Sequence, residues 1–309
     1  MKIKRNFFIP VIGVILLAIV AARKPLYTAF VGLSSPENYR IHALHVPDLV
    51  VFAGEEMHLD EPDLKERMDK ELLVNTYWQS NTLLMMKRAH QFFPIIERIL
   101  KEEGVPEDFK YLALIESGLE NLRSPAGAKG FWQIMRATGK EYGLEVNANV
   151  DERYHIELAT RVACRYLKKA KAKLGSWTLA AASYNRGISG IRRILEKQQV
   201  SAYKDLLLGT ETKRYVFRIL AVKAILEAPE QYGFVLPEAQ KYPTFVYRTV
   251  MVDTAITNIA DFAQKMGVNY KTMKRFNPWL LENHLNNKSR KRYHIALPMD
   301  ASSEHQSAP

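Results

Sequence analysis

Glu116 is the acid in this chain whose setting best suits proton transfer. It stands in residues 106–133, PEDFKYLALIESGLENLRSPAGAKGFWQ. Leu112, Ile115 and Leu119 recur at i, i+3 and i+7, one apolar helical stripe, and Glu116 is the i+4 member of the same set. Pro106 suits the first turn of that helix, Glu107 and Asp108 suit its positive end, and Gly118 suits its termination. A carboxyl beside an apolar stripe loses the hydration that stabilises its charge, and the negative end of the helix works the same way; both raise its pKa. An acid still protonated near neutral pH can serve as a general acid. The same position also fits a boundary residue paired with a nearby Lys or Arg.

The residues that follow add polar and aromatic groups. Residues 122–130 are rich in Gly, Ser and Pro and read as a loop, in which Gly127 and Gly130 let backbone approach a ligand. Phe131-Trp132-Gln133 then offers aromatic surface and an amide, a pairing that suits a sugar; Trp132 fits a core position equally well. Tyr184 and Asn185 precede Gly187 at a helix end, where capping is the default, and Tyr215 lies on a later helix, where core packing is. Glu120, Glu141 and Asp151 are the candidate second carboxylates. A glycosidase of the usual kind needs one across the sugar ring from its acid.

Several blocks recur in a fixed order: Glu116-Ser117, Ser124-Pro125-Ala126-Gly127, Gly130-Phe131-Trp132-Gln133, Thr138-Gly139, Tyr142-Gly143-Leu144, Val150-Asp151-Glu152-Arg153, Tyr184-Asn185-Arg186-Gly187 and Glu211-Thr212-Lys213-Arg214-Tyr215-Val216. Together they resemble the lytic transglycosylase family, with its lysozyme-like SLT domain, and in particular the membrane-bound murein transglycosylase D type. The resemblance implies cleavage of the β-1,4 bond between N-acetylmuramic acid and N-acetylglucosamine in peptidoglycan. Glu116 matches the single acid that protonates the leaving oxygen. The substrate's own acetamido oxygen and C6 hydroxyl then give a 1,6-anhydro ring without water. Ser117, Gln133, Tyr184 and Asn185 match positions that hold the sugar, and Tyr215 one that touches the catalytic carboxylate; Gly130 and Trp132 complete the substrate-binding set. Trp132 departs from a common methionine and Arg136 from a common proline. The alternatives are a lysozyme-like muramidase using a second carboxylate and a non-catalytic envelope protein that binds peptidoglycan.

Helices must position these groups. Apolar periodicity predicts helices from about residue 61, over 75–93 and 94–103 with a break at Pro94, then over 156–174, 177–184, 190–197 with Ser189 as its cap, and 211–227. Residues 39–52 read as one or two short strands or an extended wrap. From residue 243 the composition shifts: strands at 245–247 and 293–297 bracket helices at 256–267 and 270–276. This βααβ order is similar to a LysM carbohydrate-binding module, although Val252-Asp253-Thr254-Ala255 replaces its usual Gly-Asp-Thr-Leu and basic residues 288–292 replace a glycine turn. Those basic residues either bind anionic glycan or solubilise the edge. The expected fold is mainly α, a lysozyme-like helical catalytic domain at 61–240 with a small α+β LysM-like module at 243–299, after an extended segment at 23–60.

Lys2, Lys4 and Arg5 precede an uncharged run over residues 7–22, which reads as an export signal or an N-terminal membrane anchor, with a possible cleavage point at Ala22. The expected location is therefore the cell envelope (periplasm). The tail at 300–309 is expected to be disordered. The net charge is +11, and since residues 1–22 hold three of the 44 basic residues and none of the 33 acidic ones, +8 remains without them. A polyanion such as a cell-wall polymer fits that charge, and no nucleic-acid motif is present. The single Cys164 excludes an intrachain disulfide, and the eight histidines form no metal pattern, so no cofactor or metal is implied.

Overall fold

The computed structural model describes residues 41–299. The expected export signal or anchor at 1–22, residues 23–40 of the expected extended segment and the tail at 300–309 lie outside the described residues. Strands β1 (Leu49–Phe52) and β2 (Glu55–His58) form an antiparallel hairpin in which Val50 faces Met57, with Phe52 buried on the helical core. Eight helices follow: α1 (Pro62–Tyr77), α2 (Gln79–Glu102), α3 (Phe109–Ser117), α4 (Arg136–Glu141), α5 (Ile156–Leu174), α6 (Trp177–Arg186), α7 (Ile188–Gln198) and α8 (Thr210–Glu227). Their apolar stripes, including Leu64, Met68 and Leu72 of α1 and Val216, Ile219 and Leu220 of α8, share one core. This is the mainly helical domain that the periodicity predicts.

The helix boundaries differ in instructive places. The break expected at Pro94 does not occur: α2 runs through it. Proline inside a helix costs roughly 3 kcal/mol, and here the turns beyond it are held by Ile95, Ile96, Ile99 and Leu100, all buried. The helix carrying Glu116 starts at Phe109, because Pro106, Glu107 and Asp108 form a tighter turn before it. The carboxylate of Asp108 accepts from Lys223 Nζ at 2.7 Å and from the Ala53 amide at 2.7 Å, which ties α3 to α8 and to the hairpin. Ser189 does not cap α7; Gly187 is its N-cap. The hairpin also caps α6: Glu55 accepts from the amides of Trp177 and Thr178 at 2.6 and 2.8 Å.

The C-terminal module has its own core. Strands β3 (Tyr247–Val252) and β4 (Tyr293–Pro298) pair antiparallel, Val250 opposite Ile295, and α9 (Ile259–Lys265) and α10 (Tyr270–Phe276) pack on one face of that pair. Asn258 and Asn269 cap the two helices with their side chains. The βααβ order is as expected, with β3 starting two residues later than the strand predicted at 245–247. Residues 44–299 fall in one compact unit, and the module is pinned to the helical domain. Asn149 receives Asn286 N–H and donates to the His284 carbonyl, both at 2.8 Å, and Asp151 N–H donates to the Trp279 carbonyl at 2.9 Å. Lys291, in the basic stretch expected to meet glycan or solvent, instead pairs with Glu145 and Glu152 at 2.9 and 2.5 Å.

Candidate active site

Glu116 sits one residue before the end of α3 and is half-buried. Gly118 (φ +58°) and Leu119 (φ +55°) both turn left-handed, so the helix stops abruptly and the chain leaves in a new direction. Arg88 of α2 fixes this turn, donating to the Gly118 carbonyl at 3.4 Å and pairing with Glu120 at 2.7 Å. The side chain of Glu116 lies against α8, where the Tyr215 hydroxyl donates to its Oε1. Burial pushes the Glu116 carboxyl up to about 7, against the lowering influence of the Tyr215 hydroxyl and the Arg218 charge and with a further push from Glu211. The acid is therefore protonated for a substantial fraction of molecules at neutral pH, which the apolar stripe leads one to expect.

Two tyrosines flank it. Tyr215 is buried, and Tyr184, at the end of α6, is half-buried; burial raises both phenols well above their usual range, and the Glu116 charge adds to each. Both remain hydrogen-bond donors at any physiological pH. The Tyr184 hydroxyl donates to the Trp132 carbonyl at 2.8 Å, and so joins α6 to the 120–135 loop. Asn185 is exposed beside it, its Oδ1 accepting from Thr212 of α8 at 2.8 Å.

The loop settles one open reading, at Trp132, and adds internal roles for Phe131 and Gly130. Trp132 does not present aromatic surface: its ring is fully buried, and its indole N–H donates to Thr160 of α5 at 2.9 Å. Phe131 is buried too, edge-on to Phe92. Gly130 (φ +76°) serves a close internal approach, since a Cβ there would lie 2.0 Å from the Arg153 carbonyl oxygen. Ser117 is buried, and its hydroxyl donates to the Phe131 carbonyl at 2.9 Å, fastening the loop to α3. Gln133 is the residue of this group left half-exposed; its backbone is left-handed (φ +44°) and its amide donates to the Gly130 carbonyl at 2.8 Å. The structure thus gathers Glu116, Tyr184, Asn185 and Tyr215 around the ends of α3, α6 and α8, and uses Ser117, Gly130 and Trp132 to shape the loop beside them.

None of the three candidate second carboxylates is free. Glu120 is exposed and paired with Arg88, and Glu141 is exposed and paired with Lys169 at 3.0 Å. Asp151 is buried and held by Arg153 at 2.8 Å and Lys129 at 3.0 Å. Arg218, which sequence reading missed, is the cation that acts on Glu116; it is anchored by Glu211 at 3.6 Å and by the buried Glu71 at 4.0 Å. The signal was its place three residues after Tyr215, and Glu211's four before, on one face of α8. Among the described residues no group of His, Cys, Asp and Glu is arranged to hold a metal ion.

Residues 93–207 match the family model of the Transglycosylase SLT domain, and residues 248–301 that of the Soluble lytic transglycosylase C-terminal LysM-like domain. The first match contains Glu116, Ser117, Gly130, Trp132, Gln133, Tyr184 and Asn185; Tyr215 lies beyond it. The Membrane-bound lytic murein transglycosylase D of Escherichia coli (strain K12) is 28% identical over 239 residues, which cover 74% of this chain and 51% of that protein. The same protein of Escherichia coli O6:H1 matches to the same extent. The chain thus spans about half the length of the curated relatives it matches. Among solved structures, the lytic transglycosylase Slt of Pseudomonas aeruginosa, in an inactive mutant form, is similar with a TM-score of 0.38 and 21% identity, over 50% of this chain and 26% of that one. The 70 kDa soluble lytic transglycosylase of Escherichia coli is similar with a TM-score of 0.38 and 15% identity, over 60% and 34%.

Proposed function

We propose that this protein is a peptidoglycan lytic transglycosylase, cutting the β-1,4 bond between N-acetylmuramic acid and N-acetylglucosamine and leaving 1,6-anhydromuramic ends. The observation that carries the reading is one half-buried acid, Glu116, kept near neutrality in its titration, with each candidate partner carboxylate tied to a cation elsewhere. A single acid can serve both halves of such a reaction. Protonated Glu116 gives its proton to the leaving glycosidic oxygen while the acetamido oxygen of the muramic sugar bonds to C1. The resulting carboxylate takes the proton of the C6 hydroxyl, O6 bonds to C1, and the acetamido oxygen departs. Protons and bonds balance without water.

Tyr215 holds the Glu116 carboxyl in place through its hydroxyl, and Tyr184, Asn185 and Gln133 supply polar contacts for the sugar. Ser117, Gly130 and Trp132 contribute by holding the loop. The LysM-like module adds affinity for the glycan strand, and the site of action is the cell envelope, reached through the N-terminal signal or anchor. No helix among the described residues is long and apolar enough to cross a membrane.

Mass spectrometry of muropeptides released from purified peptidoglycan tests this. Wild type should give products ending in anhydromuramic acid, and Glu116→Gln should fold but lose activity by about 10²–10⁴-fold, the usual contribution of a general acid. Reducing muramic ends from wild type would replace the reading with a hydrolase, and full activity in the variant would remove Glu116 from the chemistry.

A further inference from the structure

A cavity of about 1000 Å³ lies between the C-terminal module and the helical domain, at the upper end of the range for sites that enclose small ligands. One wall is the open face of the β3–β4 pair. Alternation along the strands sends Val250, Val252, Ile295 and Leu297 into the module core and leaves Tyr247, Thr249 and Ala296 on the cavity side, Thr249 directly opposite Ala296. The facing wall is Phe92 of α2 with Ile156 at the start of α5. Two stacked pairs, Phe245 on Phe276 and Trp279 on Tyr293, with ring centroids 4.6 and 5.5 Å apart, give the space flat apolar sides.

Its charges are unbalanced. The two acids that line it are engaged: Glu152 by Lys291 at 2.5 Å, and Glu157 by Arg98 at 2.6 Å and by the Tyr247 hydroxyl. Arg275 and Arg292 line it as well, both exposed; Arg275 lies over the Phe276 ring at 5.4 Å, and neither has a carboxylate within 4 Å among the described residues. His155 contributes a buried Nδ1 with no hydrogen-bond partner. The cavity thus offers two unmatched guanidinium groups, one unmatched ring nitrogen and aromatic walls.

It also reaches the chemistry. Leu119 and Asn121 line it, and Leu119 is three residues past Glu116, so at most about 11 Å separates their backbones.

We propose that this cavity is a binding site for the carboxylate-bearing peptide stem of the strand whose glycan lies on Glu116. The proposal rests on the peptidoglycan reading above. The glycan itself carries no free carboxylate where its lactyl groups are joined to peptide, so the negative charge of the strand resides on the stems. Planar guanidinium groups pair carboxylates through two parallel hydrogen bonds, and the hydrocarbon parts of the stem find the aromatic walls. The module then acts as a second jaw that recognises the peptide while the helical domain recognises the sugar.

Isothermal titration of the full chain with a free synthetic stem peptide containing γ-linked D-glutamate tests this without any catalysis. Wild type should bind saturably. Arg275→Glu/Arg292→Glu should weaken binding at least tenfold, and the same peptide with its carboxylates amidated should lose as much on wild type. Thr249→Trp, an exposed strand position that fills the space, should weaken binding while thermal melting shows the chain folded. No binding by wild type, or equal binding by the arginine variant or of the amidated peptide, would overturn the proposal. Because the readout is peptide binding, failure to find anhydro products would strike the reading of Glu116 and leave this result standing on its own.

Discussion

Glu116 and Asp151 are two acids withdrawn from water in the same domain, and they are driven in opposite directions. Burial opposes the charge of both. At Glu116 it prevails, because the compensation is one tyrosine hydroxyl and a partly exposed Arg218. At Asp151 it is outweighed: Arg153 donates from Nε at 2.9 Å and Nη2 at 2.8 Å, Lys129 donates at 3.0 Å, and the carboxyl falls below its usual range. Arg153 in turn reaches the carbonyls of Gly127 and Ile134 at 3.0 and 3.1 Å, so Asp151 anchors the loop that runs beside Glu116. Burial by itself therefore does not decide whether a carboxyl stays protonated. What separates the two is how many donors the fold supplies to the charged form.

The strongest way to break this comparison is Asp151→Asn. It leaves the Arg153 guanidinium, 3% exposed, without its carboxylate. Removing one partner of a buried pair costs about 3–5 kcal/mol. Chemical denaturation should show a loss of that size; a variant as stable as wild type would mean that the pair is incidental and the contrast empty.

The next effect separates the two acids by pH. Asp151 has a lowered folded pKa, so its contribution is present above 3.8 and is lost as pH falls. Glu116 has a raised one, so its contribution is fully present below 4.5 and is lost as pH rises through about 7. At about 1.4 kcal/mol per unit, a rise from 4.5 to about 7 makes the Glu116 loss at most about 3.5 kcal/mol. Glu116→Gln should therefore gain stability relative to wild type between pH 4.5 and 7. Denaturation curves for both proteins across that window check it, and parallel pH profiles would contradict the raised pKa.

How much of this could be read beforehand depends on sequence distance. Glu116 was legible because its helical stripe and its Gly118 stop lie within ten residues. The βααβ order of the module was legible for the same reason, its strands and helices being punctuated locally. Trp132 was not: an aromatic next to a glycine loop fits a cleft or a core, and Thr160, 28 residues away, decides for the core. Pro94 misled because the local rule for proline was overridden by packing of the four apolar residues after it. Lys291 looked like a solvated or glycan-facing charge until Glu145 and Glu152, more than 130 residues earlier, claimed it. Glu55 likewise caps α6 from a hairpin 122 residues before it. Local period and punctuation were visible, and long-range pairing was what could reverse a residue's role.

Tyr215→Phe sharpens the contrast by removing the one hydrogen bond that favours the Glu116 carboxylate. The acid should then stay protonated to higher pH, and the alkaline limb of the kcat/KM profile should move up by about one unit, since a hydrogen bond to a charged group contributes about 1.5–3 kcal/mol and water replaces part of it. A limb that stays in place would show that the tyrosine positions the carboxyl without tuning it.

Arg218→Gln should give the smallest shift, in the same direction. The guanidinium favours the Glu116 carboxylate through its charge alone, with no hydrogen bond between them, and its side chain is 27% exposed. Solvent and salt screen such a contribution, so the limb should rise by only about a few tenths of a unit at low ionic strength. Salt then distinguishes the two tuning groups. At about 1 M salt, where screening acts within about 3 Å, the difference between Arg218→Gln and wild type should vanish. The Tyr215→Phe shift should survive, because a hydrogen bond in direct contact leaves no room for intervening ions. If both shifts faded together, the tyrosine would also be acting through long-range charge, and the account of why Glu116 and Asp151 diverge would have to rest on charge alone rather than on the number of donors touching each carboxyl.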